Sequence, residues 1–165
     1  MLSNSEAWRF VAYCGLYCGE CHTYRGRIIT MLARELKELI EAGNHLNWVP
    51  KFGGIDFDYG EFLKGLTYYT REDSGCFNSQ PCKGGCEVPG CPIKYCAKES
   101  EVKICFECNE FPCKHFSRFL ENHPGIIKEH EEYKTLGKEE WLKGHAERAE
   151  RGYCRATNKY YTKAK

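Results

Sequence analysis

From position 25 to 43 the chain reads RGRIITMLARELKELIEAG. Ile28, Ile29, Leu32, Leu36, Leu39 and Ile40 recur there at the three- and four-residue spacing of one helix face. Arg34, Glu35, Lys37 and Glu38 fill the other face, and Gly43 is placed to cap the end. NHLNWVPKFGG follows and reads as a loop, broken by Pro50 and the Gly53–Gly54 pair. A second helix is expected over FDYGEFLKGLTYYTRE, capped by Asp56, with Phe62, Leu63, Leu66 and Tyr69 as its apolar stripe. Periodicity resumes beyond Pro112, which suits a first helical position, with Phe116, Phe119 and Leu120. Pro124 and Gly125 interrupt it. Helices are then expected through Ile126, Ile127, His130 and Tyr133, and, past Gly137, through Trp141, Leu142, His145 and Ala149. WRFVAY is the best strand candidate, and the tail TNKYYTKAK is expected to fray. The fold class expected is mainly α, with a small α+β arrangement as the alternative.

Between these helical stretches the pattern changes. From Ser74 to Cys113 the chain is rich in Gly, Pro and Cys and holds few apolar residues, so metal–thiolate bonds are the available substitute for burial. The chain has 12 cysteines in 165 residues. They fall as Cys14, Cys18 and Cys21, then Cys76, Cys82, Cys86, Cys91, Cys96, Cys105, Cys108 and Cys113, with Cys154 alone near the end. The start, MLSNSEAWRFVAY, lacks the basic region and apolar core of a signal peptide, so the expected location is cytoplasmic, where thiols stay reduced and metal is the better account of them.

Charge narrows the partners little. With 24 Lys+Arg against 23 Asp+Glu there is no clear nucleic-acid signal, and no apolar run is long enough to span a bilayer. An unknown macromolecular partner and no membrane association are expected.

Two pairs, Cys18–Cys21 and Cys105–Cys108, have the two-residue spacing of a metal knuckle, whose turn aims both sulfurs at one ion. A redox dithiol would call for a strand–helix–strand setting, which this sequence does not offer. Cys113 opens a helix, where the helix dipole favours thiolate, and His115 beside it could act as base or ligand. His22 and Cys76 are further candidate ligands, and Cys154 reads as a free thiol. Cys82, Cys86, Cys91 and Cys96 are interleaved with Gly84, Gly85, Pro89, Gly90 and Pro92, spacers that let a loop fold back on an ion. Lys83 beside the glycine pair makes only a weak anion-binding nest, with no Walker pattern. The spacing of Cys14, Cys18 and Cys21 also resembles the cluster motif of radical enzymes, but the rest of the chain is too short for the barrel such chemistry requires.

Four motifs in order, CGLYCGEC at 14–21, CKGGC at 82–86, CPIKYC at 91–96 and CFECNEFPC at 105–113, resemble a family of uncharacterised bacterial and archaeal proteins, domain of unknown function 3795. The resemblance covers roughly residues 10 to 120 and implies a cysteine-rich metal-binding fold with no assigned activity. Longer members look similar over GKEEWLKGHAER too, and carry a further knuckle where this chain has only Cys154. Lys94 stands where arginine is common.

The expectation is a cysteine-rich metal-binding domain over 1–125 and a C-terminal helical extension over 126–165 packed on it. The metal ligands expected are Cys14, Cys18, Cys21, Cys82, Cys86, Cys91, Cys96, Cys105, Cys108 and Cys113. Ten thiols at about four per closed site make about two zinc ions. The function expected is a structural zinc module that presents a surface to another macromolecule. The alternative is an iron–sulfur electron-transfer protein, because thiolates also select such clusters. A thiol enzyme is a weaker third reading, since no base–orienter pair is visible.

Overall fold

The computed structural model describes residues 4–24, 27–54, 56–71, 73, 81–84 and 90–161. Among these residues the protein is mainly α, as the periodicity predicts. The helices are α1 (Asn4–Trp8), α2 (Arg27–Ala42), α3 (His45–Phe52), α4 (Tyr59–Tyr69), α5 (Pro92–Glu99), α6 (Ser117–Asn122), α7 (Ile126–Leu136) and α8 (Lys138–Glu150). One antiparallel hairpin, β1 (Tyr153–Cys154) and β2 (Lys159–Tyr160), follows, with Tyr153 opposite Tyr160.

The main core draws on both ends of the chain. Ala7, Val11, Tyr17, Ile104 and Phe106 pack with Ile126, Tyr133, Trp141 and Leu142. Phe106 sits in an aromatic nest, its ring centre 5.5 Å from that of Tyr133 and 6.0 Å from that of Trp141. Each large side chain fully buried in this way contributes about 1.5–3 kcal/mol, so this cluster dominates the stability of the unit. A smaller cluster packs Ile93, Ala97 and Cys105 of the cysteine-rich segment against Phe116 just beyond it. That segment therefore has more core of its own than its composition suggests.

Several expectations are corrected. The segment read as a loop at NHLNWVPKFGG is helical as α3. Asn44 enters it with φ 53°, the Trp48 indole N–H donates to the Gly43 carbonyl at 2.9 Å, and the Gly53 amide closes it on Val49. Pro50 lies in its second turn and costs one intrahelical bond. Asp58, rather than Asp56, caps α4, its carboxylate accepting from the Glu61 amide at 3.0 Å. WRFVAY is helix end and turn, with only an isolated Val11–Tyr17 bridge. Pro112 does not open a helix: the 3₁₀ turn Lys114–Phe116 precedes α6. The start of the tail is ordered: Lys159–Tyr160 pairs as β2 with β1, and the Tyr153 hydroxyl donates to Asn158 at 2.7 Å, while residues 162–165 lie outside the described residues.

The apolar stripes of α2 and α4 are the largest difference. Ile28, Ala33 and Ile40 are buried, but Leu39 is 68% exposed and Leu32 and Leu36 are exposed too. α4 buries only Tyr59. Helix pattern predicts amphipathicity, and it does not say how much partner surface the rest of the chain supplies.

Candidate functional site

The two knuckles are built alike. Cys18–Glu20 and Cys105–Glu107 are single 3₁₀ turns, each preceded and followed by extended residues. Each closes by an amide-to-carbonyl bond across the pair, Cys21 to Cys18 at 3.1 Å and Cys108 to Cys105 at 3.0 Å. The segments carrying them dock directly. The Cys105 amide donates to the Tyr13 carbonyl at 2.8 Å. Gly15, at φ +95°, lies so close under Phe106 that a Cβ there would clash with the ring. The glycine of CGLYCGEC is required by conformation and by contact together.

The fold distributes the thiols over three neighbourhoods. Cys96 on α5, Cys105, Cys108 and Cys113 line one cavity, walled by Ile93, Phe111 and Phe116, with His115 beside Cys113. Cys91, which precedes α5, joins this group electrostatically. Cys14 lies within electrostatic reach of Cys82, Cys18 and Cys105. Cys21 turns elsewhere: its Sγ is 3.2 Å from the Thr23 hydroxyl, and both it and Cys154 act on the Arg27 guanidinium. The Cys82 motif begins on a 3₁₀ turn, Cys82–Gly84. Cys76 and Cys86 lie outside the described residues. None of the ten described cysteines is joined in a disulfide. His22 contributes its carbonyl, which accepts the amides of Ile28 and Ile29 at the start of α2.

Burial governs the thiols of Cys105 and Cys14. It pushes Cys105 up to about 12, with the neighbouring thiols Cys113, Cys108, Cys96 and Cys91 raising it further. It pushes Cys14 up to about 12 as well, against a lowering hydrogen bond at Leu16. Such sulfurs stay protonated unless a cation compensates the desolvated charge.

Among the described residues only one trio of potential ligands has its donor atoms within 4.8 Å of one another, and it contains no thiol: Glu20, Glu129 and His145. Its surroundings make it an ion-pair network. Glu20, the acid inside the first knuckle, is fully buried. It meets His145 Nδ1 at 2.9 Å, Arg148 Nε at 2.9 Å and Arg155 Nη2 at 2.7 Å. His145 Nε2 meets Glu129 at 2.8 Å. Two guanidiniums already neutralise the carboxylate, and another cation would meet their repulsion. Burial alone would raise the Glu20 carboxyl, but the His145 bond and charge, with Arg155, outweigh it and hold the group at about 2. Burial alone would lower His145, but the bonds from Glu129 and Glu20 raise it above its ordinary value. Sequence reasoning missed this network. The available signals were an acid between two cysteines and a His/Arg pair on α8, and nothing in spacing joins residues more than a hundred positions apart.

The arrangement defines a mainly α, cysteine-rich protein in which two knuckle turns dock through Gly15 and Phe106. The chain belongs to the family described as protein of unknown function (DUF3795), whose model matches residues 10–118 and so takes in all four cysteine motifs. No curated protein and no solved structure matches this chain. No helix among the described residues is long and apolar enough to cross a membrane.

Proposed function

We propose that this chain is a thiolate metal protein with a structural or interaction role, its cysteine-rich segment held by metal as well as by a small core. The observation that carries this reading is the convergence of Cys96, Cys105, Cys108 and Cys113, from three separate stretches of chain, on one cavity. Four thiols brought together by folding, with Cys105 among them desolvated, suit a soft cation that supplies the missing counter-charge. Zinc is the first reading, because closed four-thiolate sites contribute folding energy directly. Exposed Leu39, Phe52 and Phe57 along the α2–α4 region support a role in contacting another macromolecule.

The sulfur spacing favours a second reading. Tetrahedral zinc with bonds of about 2.3 Å draws its sulfurs to roughly 3.8 Å from one another. Among the described residues no three thiols lie within 4.8 Å of one another, so zinc would require the side chains to close in. An iron–sulfur cluster holds its thiolates farther apart, because the inorganic core lies between them, and Cys105, Cys108 and Cys113 follow the spacing of part of such a motif. Metal analysis with an absorption spectrum on anaerobically purified protein tests both. Colourless protein containing zinc supports the first reading, and brown protein with iron and acid-labile sulfide supports the second. Protein free of both metals, without exposure to chelator, removes the proposal.

A further inference from the structure

A second pocket shares Ala97 and Val102 with the thiol cavity but has different chemistry. It is an open recess lined by Trp8, Tyr13, Lys83, Lys98, Glu101 and Lys103. Lys83 is its key residue. Its Nζ has no contact with solvent and no hydrogen-bond partner among the described residues. It lies 4.4 Å from the Trp8 ring centre and 5.6 Å from that of Tyr13. Lys138 sets a second ammonium 4.1 Å from the same Trp8 ring centre.

Aromatic faces attract an ammonium but offer its three N–H donors no acceptor. The nearby backbone does not supply one. The carbonyls ending α5, those of Cys96, Ala97 and Lys98, take the amides of Ser100, Val102 and Glu101. Glu107 faces Lys83 electrostatically but accepts from the Tyr133 hydroxyl at 2.6 Å. Glu101 sits on the rim without forming an ion pair to Lys83. A buried ammonium with unused donors is costly, and an acceptor arriving from outside relieves that cost.

The geometry points to an oxyanion site in this pocket, with Lys83 as its floor, Lys98 and Lys103 as its rim, and a phosphate group as its ligand. Phosphate fits better than carboxylate because three lysines against one glutamate favour a dianion. Its several oxygens can also accept from the floor and the rim together. The phosphate can be free or carried by a phosphomonoester; the chemistry is shared. This inference does not require metal at the neighbouring thiols.

Calorimetric titration of the full chain at fixed ionic strength tests it, with inorganic phosphate, glycerol 3-phosphate and acetate as probes. Saturable one-site binding of inorganic phosphate is expected, with acetate clearly weaker. Glycerol 3-phosphate binding as tightly as phosphate assigns the site to the group in either form, and exclusion of the ester restricts it to the free ion. Lys83→Met should weaken binding about tenfold or more, the scale of one hydrogen bond between charged groups. The double variant Lys98→Glu/Lys103→Glu changes only exposed residues, so it decides the matter if Lys83→Met does not fold. It should weaken phosphate binding similarly, while Lys134→Ala, on α7 away from the pocket, should not. Absence of saturable heat, unchanged affinity in the rim variant, or acetate binding as tightly as phosphate would each overturn the inference.

Discussion

Replacing Glu20 by Gln tests the link between the first knuckle and the C-terminal helix. The substitution keeps size and removes charge. In the native protein the carboxylate is fully buried and receives His145, Arg148 and Arg155. Its folded value of about 2 stands against an ordinary 4.5. Each tenfold change in proton affinity is worth about 1.4 kcal/mol, so that difference corresponds to about 3 kcal/mol of stability at neutral pH. Breaking a buried ion pair by removing one partner costs about 3–5 kcal/mol, so the two routes agree in scale.

The folded value is depressed, so the contribution is complete above pH 4.5 and is lost as pH falls from there toward 2. His145 runs the other way. Its folded value is raised, so its contribution is complete below its ordinary 6.5 and declines as pH rises through the folded value. Urea unfolding of native protein and Glu20→Gln, followed by far-UV circular dichroism from about pH 2.5 to 8, gives the comparison. The variant should be about 3 kcal/mol less stable at neutral pH, and the gap should narrow on acidification below pH 4.5. A variant within about 0.5 kcal/mol of native at neutral pH, or a gap independent of pH, would refute the assignment of Glu20 as a charged anchor, since surface changes have effects of that size.

Gly15→Ala should destabilise by about 2–4 kcal/mol in the same urea assay, summing overpacking against Phe106 and a left-handed alanine. Cys108→Ser should lower bound metal per chain and raise protease sensitivity of the cysteine-rich segment, read by metal analysis and limited proteolysis. Cys154→Ser should leave metal content unchanged; the fold buries this thiol, so about 1–2 kcal/mol of destabilisation is expected where spacing alone predicts silence. Metal uptake should release protons and tighten as pH rises, because Cys105 is protonated in the metal-free fold, as a pH-indicator titration with zinc will read.

How far the sequence carries depends on the range of the interaction. Helix existence rests on local periodicity, and α2, α4, α7 and α8 were legible for that reason. Helix burial rests on the partner surface, so the predicted stripe of α2 is only partly covered. The knuckle turns were legible because two-residue spacing limits the backbone conformations that bring two thiols together. The grouping of thiols was not, because Cys96 and Cys113 reach one cavity through the packing of α5 and the Lys114–Phe116 turn around Phe116. Glu20 looked like a spacer between cysteines, and its partners become visible only when α8 lies across the knuckle.

The position of Glu20 bears on what a metal would add. The two knuckle segments already meet without one, through the Cys105 amide, Gly15 and Phe106. The first knuckle is also tied to α8 by a buried carboxylate. An ion bridging both knuckles would therefore duplicate contacts the chain makes itself, and Cys21, turned toward Thr23, is poorly placed to join it. The thiols of the Cys105 cavity belong instead to motifs joined by loops, with the small cluster of Ile93, Ala97 and Phe116, and Phe111 packed on it, as the core beside them. A thiolate centre gains most where burial supplies least, and by that measure the cavity around Cys105 outranks the first knuckle as the place for metal.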